Sequence, residues 1–310
     1  MRTQFPSPDV EALKLVARMR DAKTRTPALV NEYYTRCIPI YQEFLGNHWH
    51  TGFYSFGDEP IGPQDQLRME RRIAQSARIT ADSHVLEVGC GIGGPACHLA
   101  AWTGAKFWGL TPNPKQIELA RKLAIEVGVA DRVTFDEGFA DDLPYPSESF
   151  DVVLFFESPC HFPDRSRFFR EVARVLRPDG RLAGEDWLAC EDLPSATIEE
   201  YILPICDTWA TPTLGTLSEY VSGMAAAGLS VQEAMNLRQE MALDRGFLVN
   251  EVDRNDVARE RDATTDPIRR VILDGMLALG AAVSAQAFTI GRFLAVAQEV
   301  AAKGDLEITV

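Results

Sequence analysis

Short apolar segments alternate with longer segments of helical periodicity along the first two thirds of the chain. The short segments predict strands, and the longer ones, whose apolar residues recur three and four positions apart, predict amphipathic helices. The predicted strands are residues 85–88, 106–110, 131–135, 149–156 and 181–187. This alternation is typical of an α/β fold with a mainly parallel sheet.

Two features indicate how the sheet is covered. The strand at 149–156 is apolar almost throughout, as expected of a central parallel strand that is buried on both faces. Helices are predicted at 9–20 and 26–41, and a charged amphipathic helix at 64–77 leads into the first strand. A helix is also predicted at 168–176, followed by a turn that gives Gly180 a positive φ.

The last third of the chain has a different pattern. Residues 191–227 combine helical periodicity with prolines and aromatic residues, which predicts either a cap that lines a pocket or a plain helical connection. A sixth strand is predicted at 229–237 and a closing strand at 288–297. Between them, residues 247–285 predict one or two helices, with a charged solvated segment at 251–266.

The first predicted strand ends in a glycine-rich turn that opens a helix. Gly89, Gly91 and Gly93 permit a tight turn and the close approach of a ligand to the backbone. Such spacing also occurs in dinucleotide sites and in turns that need glycine only for packing. Glu87, two residues before the first glycine, would repel a pyrophosphate but suits a ligand with an ammonium group and a ribose.

Composition excludes several classes of function. A net charge of −14 with only 31 basic residues argues against nucleic acid and disfavours anionic membrane surfaces. Six cysteines without a CxxC pair predict neither a disulfide framework nor a metal cluster. With no apolar leader and no run of 18 apolar residues, we expect a cytoplasmic protein without a membrane partner. A homo-oligomer is an open alternative to a monomer.

The motif Glu87-x-Gly89-x-Gly91-x-Gly93 resembles motif I of the class I S-adenosylmethionine-dependent methyltransferases. Other segments resemble the small-molecule branch of that family, which includes sterol and tocopherol methyltransferases and antibiotic-tailoring O- and N-methyltransferases. They are the Tyr-Tyr pair at 33–34, the His-x-Gly-Phe-Tyr run at 50–54, Leu-Pro at 143–144, residues 157–164 and the Arg-Pro-Asp-Gly turn at 177–180.

The resemblance implies an α/β, Rossmann-like, seven-stranded methyltransferase sheet that is mostly parallel, with the last strand antiparallel. The implied segments are an N-terminal helical lid (1–70), a cofactor-binding core (71–190), a cap insertion (191–228) and the C-terminal part of the core with its helices and closing strand (229–310). The implied cofactor is S-adenosylmethionine, which leaves as S-adenosylhomocysteine.

The resemblance also implies cofactor contacts. Thr111 and Gln116 stand where the family usually has an acidic ribose ligand, with Asn113 behind them; Thr111 and Asn113 could equally cap the following helix. Phe139 occupies the usual acidic position for adenine. The full set of implied cofactor residues is Tyr33, His50, Glu87, Gly89, Gly91, Gly93, Thr111, Asn113, Gln116, Phe139, Ala140, Asp141 and Glu157.

For catalysis, the segment at 157–164 resembles one that carries a histidine base in the family's sugar O-methyltransferases. His161 paired with Asp186 is therefore the candidate base, and Glu157 could orient an acceptor. A structural role remains open for both His161 and Asp186. The candidate substrate residues are Tyr34, Tyr54, His161, Glu185, Trp187 and Trp209.

These residues predict methyl transfer to an O or N atom of a small molecule in specialised, antibiotic-like metabolism. The alternatives are C-methylation of an isoprenoid or sterol-like alkene, where aromatic side chains would stabilise a carbocation, and a cofactor-retaining cyclase or binding protein. A nicotinamide oxidoreductase is the least favoured, because no acidic residue closes the second strand. No metal site is predicted, although Mg²⁺ held by scattered carboxylates would leave no spacing pattern.

Overall fold

A twisted seven-stranded sheet organises the chain in the computed structural model, which describes residues 9–21, 23, 25–57, 60–247 and 251–298, without the side chains of 251 and 252. The strand order is β3-β2-β1-β4-β5-β7-β6. The strands are β1 (His84–Val88), β2 (Lys106–Thr111), β3 (Val133–Glu137), β4 (Phe150–Phe156), β5 (Leu176–Ala189), β6 (Leu229–Asn236) and β7 (Phe288–Ala297). Residues 1–8 of the predicted lid and 299–310 of the predicted last segment lie outside the described part.

The first five strands are parallel, and β7 runs antiparallel to both of its neighbours, β5 and β6. The predicted seven-stranded, mostly parallel sheet is therefore confirmed. Strand β4 is buried from Val152 to Phe156, as its apolar sequence predicts. Because β1 pairs with β2 on one side and β4 on the other, the chain reverses its direction of growth there, and a crevice opens at the carboxyl ends of these strands.

Helices cover both faces of the sheet and extend over the crevice. They are α1 (Val10–Met19), α2 (Pro27–Leu45), α3 (Pro63–Ser76), α4 (Gly94–Thr103), α5 (Pro114–Val127), α6 (Arg165–Val175), α7 (Ser195–Thr197), α8 (Leu203–Thr208), α9 (Leu217–Ala226), α10 (Leu243–Gly246), α11 (Glu251–Ala263) and α12 (Pro267–Ser284). None of the helices within the described ranges combines the length and apolar character needed to cross a bilayer.

Local sequence explains where several of these helices begin. The Thr26 hydroxyl caps α2 by accepting from Leu29 N–H, and Asn113 and Asp266 cap α5 and α12 in the same way. In all three helices the first residue is proline, whose fixed φ suits that position. The second helix extends to Leu45, four residues beyond its predicted end, because Gly46 with φ +64° supplies its stop.

One prediction about the later elements needs correction. The turn at 177–180 lies within β5, which begins directly after α6, and its positive φ belongs to Asp179 (φ +62°) rather than to Gly180. Asparagine and aspartate tolerate this region better than most residues because their short side chains hydrogen-bond locally. The predicted cap is a run of short helical turns that ends in α9, with residues 198–202 in a π-helical turn.

Candidate active site

The glycine turn after β1 places bare backbone at the crevice. Gly89, Gly91 and Gly93 have φ of +79°, +52° and +82°, a region that side chains disfavour. A Cβ on Gly93 would meet the Phe135 ring at 2.6 Å, and one on Gly89 would collide with Ser158, so these two glycines are required for packing. A Cβ on Gly91 would meet only the Trp49 ring, at 3.6 Å. Gly91 therefore faces open space.

That space is a cavity, here called the glycine-loop cavity, between the ends of β1, β2 and β4 and the helix α2. Its lining comprises Pro27, Val30, Asn31, Tyr34, Trp49, Val88, Gly89, Gly91, Leu110, Thr111, Pro112, Asn113, Gln116, residues 138–141, Phe156, Glu157, Ser158 and residues 161–164. It contains nine of the thirteen predicted cofactor residues. They are Gly89, Gly91, Thr111, Asn113, Gln116, Phe139, Ala140, Asp141 and Glu157.

Polar groups cluster at the β2 end of this cavity. The Thr111 hydroxyl donates to Gln116 Oε1 at 2.6 Å, and both residues are buried. Asn113 caps α5 through Oδ1, as the sequence allowed, and its amide also donates to Thr35. Asn31 donates to Pro112 O at 3.0 Å, but its buried Oδ1 has no partner among the described residues. An acceptor without a partner in a cavity wall is suited to a ligand hydroxyl or amino group.

A second cavity, here called the aromatic cavity, adjoins the first. Its lining comprises Tyr34, Tyr41, Leu45, Trp49, His50, Thr51, Tyr54, Glu157, His161, Trp187, Trp209, Gly246, Phe247, Met276 and Leu279. Four of the residues predicted to bind substrate, Tyr34, Tyr54, Trp187 and Trp209, lie in this wall together with His161. The sixth residue predicted to bind substrate, Glu185, lines neither cavity.

Tyr34, Trp49, Glu157 and His161 line both cavities and form the boundary between them, here called the shared wall. Tyr34 OH and His161 Nε2 are 2.7 Å apart, and the Tyr34 ring stacks on Trp49. Burial lowers the pKa of His161 to about 4, so its ring is neutral at pH 7. His161 Nδ1 is buried and has no partner within the described part of the chain.

Glu157 ends β4 with a strained backbone. Its φ of +46° is unusual for a residue with a side chain, and its N–H donates to Glu185 O at 3.0 Å. The side chain turns toward the cavities, where Oε1 accepts the Thr51 N–H at 2.9 Å. Burial raises the pKa of Glu157, while the Thr51 N–H and nearby His50 oppose the rise.

The predicted pairing of His161 with Asp186 is not found. Asp186 Oδ1 accepts its neighbour's N–H, from Trp187, at 2.8 Å, and Oδ2 accepts Tyr220 OH at 2.6 Å. Asp186 is fully buried and lines neither cavity, because alternation along β5 turns it to the face opposite Trp187. Burial raises the pKa of Asp186 to about 7.

The Asp186–Tyr220 hydrogen bond predicts a structural effect. Tyr220→Phe leaves a buried carboxyl oxygen without its donor, and we expect a loss of about 1–3 kcal/mol in the free energy of unfolding. The affinity for a cavity ligand should stay unchanged, because neither residue lines a cavity. Urea unfolding measures the loss, with Tyr145→Phe, which removes a 3.0 Å bond from Tyr145 to the half-buried Asp136, as the milder control. A Tyr220→Phe protein with wild-type stability contradicts this assignment.

Burial of His161 predicts that stability falls as pH falls from about 6.5 toward 4. The pKa of His161 is about 4 in the folded protein and near 6.5 when unfolded, so the unfolded chain takes up a proton over this interval that the folded protein does not. The loss attributable to His161 is at most about 3 kcal/mol. Urea unfolding at pH 7.5 and 4.5 should show a smaller loss for His161→Gln than for wild type; equal losses contradict the shift.

Four other predicted cofactor residues are placed differently. Tyr33 lines neither cavity, because the turn of α2 directs it into the core, where its hydroxyl meets that of Tyr41 at 3.3 Å. His50 lines the aromatic cavity only. Glu87 and Gly93 do not line the glycine-loop cavity, and burial raises the pKa of Glu87 well above its usual range.

Sequence reasoning missed Trp49 and Asn31. Trp49 lies between His48 and His50 and reaches the shared wall, although only His50 of these three was selected as a site residue. Asn31 begins the polar-aromatic run that contains Tyr34. The aromatic cavity also includes Phe247, which follows α10, and Met276 and Leu279 of α12, whose helical apolar spacing is that of ordinary core residues.

Comparison with known proteins gives the family. A methyltransferase domain model matches residues 86–184. The chain is 32% identical to "Methyltransferase GfsG" of Streptomyces halstedii, over 68% of this chain and 76% of that protein. It is 33% identical to "27-O-demethylrifamycin SV methyltransferase" of Amycolatopsis mediterranei, over 69% of this chain and 78% of that protein.

The fold is also that of a solved relative. The crystal structure of the [4+2]-cyclase SpnF superposes with a TM-score of 0.73, covering 88% of this chain and 96% of that one at 20% identity. The glycine-loop cavity fits the family's cofactor, since Gly91 leaves its backbone open and the buried Asn31 Oδ1 awaits a donor. The chain belongs to the S-adenosylmethionine-dependent methyltransferases that act on small molecules.

Proposed function

We infer that this enzyme methylates an oxygen or nitrogen atom of a small molecule in specialised metabolite biosynthesis. The observation that carries the proposal is the shared wall. It brings a neutral histidine, a buried carboxyl group and two aromatic rings to the boundary between two cavities, where a donor in one would meet an acceptor in the other.

The glycine-loop cavity is the proposed cofactor site. The backbone at Gly89 and Gly91 would bear the methionine part, Thr111 and Gln116 would bind the ribose with Asn113 behind them, and Asn31 would accept from the ligand. Phe139, Ala140 and Asp141 would surround the adenine; Phe139 is half exposed and can cover a ring. When bound, S-adenosylmethionine supplies an electrophilic methyl group on a sulfonium. The lid predicted at 1–70 contributes α2 and Trp49.

The aromatic cavity is the proposed acceptor site. Its rings exclude water and hold the acceptor, and orientation alone can contribute several kcal/mol to a displacement of this kind. The polar groups at the shared wall then accept the proton that the acceptor loses. In the tautomer whose Nε2–H donates to the Tyr34 hydroxyl, neutral His161 has an unprotonated Nδ1. This nitrogen can accept the proton as a general base. Glu157 offers a second oxygen, beyond the one that Thr51 occupies.

The relatives support acceptors with a polar atom. One is named as the methyltransferase of 27-O-demethylrifamycin SV, whose acceptor is an oxygen of a natural product. A cavity lined by Tyr34, Tyr54, Trp187 and Trp209 but containing a base and a carboxyl group suits a ring-bearing molecule with one hydroxyl or amine.

C-methylation is the second candidate, favoured by the aromatic wall. Trp187 and Trp209 meet edge to face with ring centroids 5.3 Å apart, and such faces stabilise a cation. A carbocation intermediate would need these rings more than it needs a base.

A panel of phenols, alcohols, amines and isoprenoid alkenes, offered with methyl-labelled S-adenosylmethionine, tests the proposal. We expect label to enter a hydroxyl or amine compound in wild type, and little label to enter when His161 is replaced by glutamine. Label in alkenes alone, unaffected by His161→Gln, contradicts O- or N-methylation and supports the second candidate.

A further inference from the structure

Three of the chain's five histidines converge on one buried carboxylate behind the glycine turn. Glu70 of α3 has no exposed surface, and its Oε1 lies 2.6 Å from His48 Nδ1 and 2.8 Å from His50 Nε2. His98 of α4 approaches the other oxygen, Oε2, through Nδ1. A buried carboxylate is costly unless it is hydrogen-bonded and paired, and this one is surrounded by donors.

Hydrogen-bond directions identify which ring carries the charge. His98 Nε2 lies 3.3 Å from Arg71 Nε, which can only donate, so the proton of a neutral His98 sits on Nδ1. His50 has acceptors on both sides, because Nδ1 is 3.0 Å from Thr51 O and Nε2 faces the Glu70 carboxylate. Both of its nitrogens must therefore be protonated. His50 is an imidazolium, and Glu70 is its counter-ion.

The distances indicate hydrogen bonds rather than a metal centre. The ligand atoms of His48, His50 and Glu70 lie within 4.8 Å of one another, as in a candidate ion site. Two ligands that each lie about 2.0–2.1 Å from one tetrahedral Zn²⁺ would stand about 3.3 Å apart. The separations of 2.6 and 2.8 Å are shorter than that and match N–H to carboxylate bonds.

The Thr51 peptide joins this cluster to the shared wall. Thr51 O accepts from His50 Nδ1, and Thr51 N–H donates to Glu157 Oε1 at 2.9 Å. His50 also lines the aromatic cavity, where its ring lies over Phe156. The His50 charge is thus fixed beside Glu157, a residue of both cavities.

We propose that Glu70 is a positioning residue for methyl transfer: it holds His50 as an imidazolium, and His50 together with the Thr51 peptide keeps Glu157 ionised at the shared wall. This inference rests on the proposed function of Glu157 and adds a prediction about which ligand the site prefers. An ionised Glu157 prefers a cationic ligand in the adjoining cavities, so the enzyme should bind the sulfonium of S-adenosylmethionine better than the neutral thioether of its product.

The other groups that face His50 and Glu157 do not supply a competing cation. Glu185 faces both, with Oε1 3.9 Å from His50 Nδ1, and burial raises its pKa well above the usual range, so that it is neutral. Asp186 is an acid too, and burial, with a smaller contribution from the charge of Glu157, raises its pKa to about 7. The Trp187 indole N–H faces Glu157 and lowers the pKa of that carboxyl group. The two groups do not form a hydrogen bond.

Two opposing effects determine the pKa of His50. Burial alone would lower the pKa of His50, but the Glu70 carboxylate outweighs burial and the pKa is raised. The three imidazoles in turn hold the pKa of Glu70 below its usual range despite burial. Among the other titratable groups near Glu157, Tyr34, Tyr54 and Cys160 have pKa values raised by burial and stay neutral. Burial lowers the pKa of His161, which shares both cavities with Glu157, to about 4, so His161 is neutral as well.

The first experiment needs no ligand. In protein with ¹⁵N-labelled histidine, NMR reports which ring nitrogens are protonated, and His50→Gln identifies the His50 signals. We expect both His50 nitrogens to be protonated at pH 7 in wild type and one of them to be unprotonated in Glu70→Gln. A His50 with one bare nitrogen at pH 7 in wild type overturns the proposal. So does a spectrum that changes on dialysis against EDTA and recovers with Zn²⁺.

The second experiment measures the ratio of the dissociation constants of S-adenosylhomocysteine and S-adenosylmethionine by calorimetry from pH 5.5 to 8.5. In wild type we expect S-adenosylmethionine to bind roughly tenfold better at pH 8, with the preference lost as Glu157 protonates at lower pH. Removing the cation raises the pKa of Glu157, so in His50→Gln and Glu70→Gln the loss should occur about one pH unit higher.

His84→Gln is the matched control, because His84 also lies beside a carboxylate, with Nδ1 3.5 Å from Asp151 Oδ2, but at the start of β1 and far from the cavities. It should leave the ratio unchanged. If Glu70→Gln does not fold, His50→Gln, which retains the carboxylate, gives the same readout. A wild type that binds both ligands with a ratio independent of pH overturns the proposal, whereas a wild type that binds neither contradicts the cofactor site and leaves the NMR result to decide the network.

Discussion

Replacing Gly91 by valine is expected to abolish the binding of S-adenosylhomocysteine, with a loss of at least 100-fold in affinity. Gly91 is the glycine of the turn whose Cβ would point into open space toward Trp49, where the ligand is proposed to lie. A branched side chain would fill that space, and its φ of +52° also disfavours any residue with a Cβ. A loss of 100-fold corresponds to about 2.7 kcal/mol, which lies at the upper end of the roughly 1–3 kcal/mol that overpacking ordinarily costs.

Gly128→Val separates backbone strain from blockage of the cavity. Gly128 ends α5 with φ +80° and has nothing within 4 Å of its would-be Cβ, so the valine there incurs the strain without touching the site. We expect lower stability by about 1–2 kcal/mol and unchanged binding. Isothermal calorimetry on both variants gives the comparison. Binding of wild-type strength by Gly91→Val would mean that the ligand does not lie against this turn.

Replacing His161 by glutamine is expected to lower kcat by about 100-fold or more for a hydroxyl acceptor, while S-adenosylhomocysteine binding stays within a few-fold of wild type. His161 lies at the shared wall with Nδ1 free and its ring neutral, which is the state a general base requires. Because its pKa is about 4, His161 remains neutral from pH 5.5 to 8.5, so it should contribute no acid limb to the kcat profile in that range.

Tyr34→Phe tests the same site from the other side, since it removes the 2.7 Å contact with His161 Nε2 but keeps the ring. We expect a smaller loss of kcat, on the order of tenfold, because the histidine remains but loses the partner that fixes its tautomer. His84→Gln serves as the distant histidine control. Wild-type kcat in His161→Gln with the same acceptor would show that no base acts from this residue and would favour C-methylation.

Much of the fold could be predicted because its determinants are local. The glycine turn, the apolar strand β4 and the alternation of strands with helices are properties of contiguous residues, and each predicted strand was found within a few residues of its expected place. The end of α2 was missed although the adjacent Gly46 marks it in the sequence. The start of β5 was missed because the strand begins directly after α6, where Leu176 pairs with Phe150 of β4, a residue distant in the chain.

The candidate site likewise contains residues that could be predicted from the sequence and residues that could not. Residues of the turn, of the β2 end and of the segment after β4 line one cavity, because a parallel sheet collects its strand ends at one edge. The side to which each aromatic residue of α2 points was not predictable. Adjacent Tyr33 and Tyr34 differ by about 100° around the helix, and only packing decides which one reaches the cavity.

The cluster of histidines around Glu70 could not be predicted from the sequence either. His48 and His50 come from a loop, Glu70 from α3 and His98 from α4, and nothing in the spacing of these residues indicates a common centre. Asp186 is the reverse case: it directly precedes Trp187 of the aromatic cavity in the sequence, but strand alternation turns its side chain toward Tyr220.

A crystal structure with bound S-adenosylhomocysteine tests the central claim most directly. We expect the ligand in the glycine-loop cavity, with its backbone contacts at Gly91. The sulfur should lie about 4 Å from the shared wall, which consists of Tyr34, Trp49, Glu157 and His161. A ligand whose sulfur points away from that wall, or one bound outside the glycine-loop cavity, would contradict it.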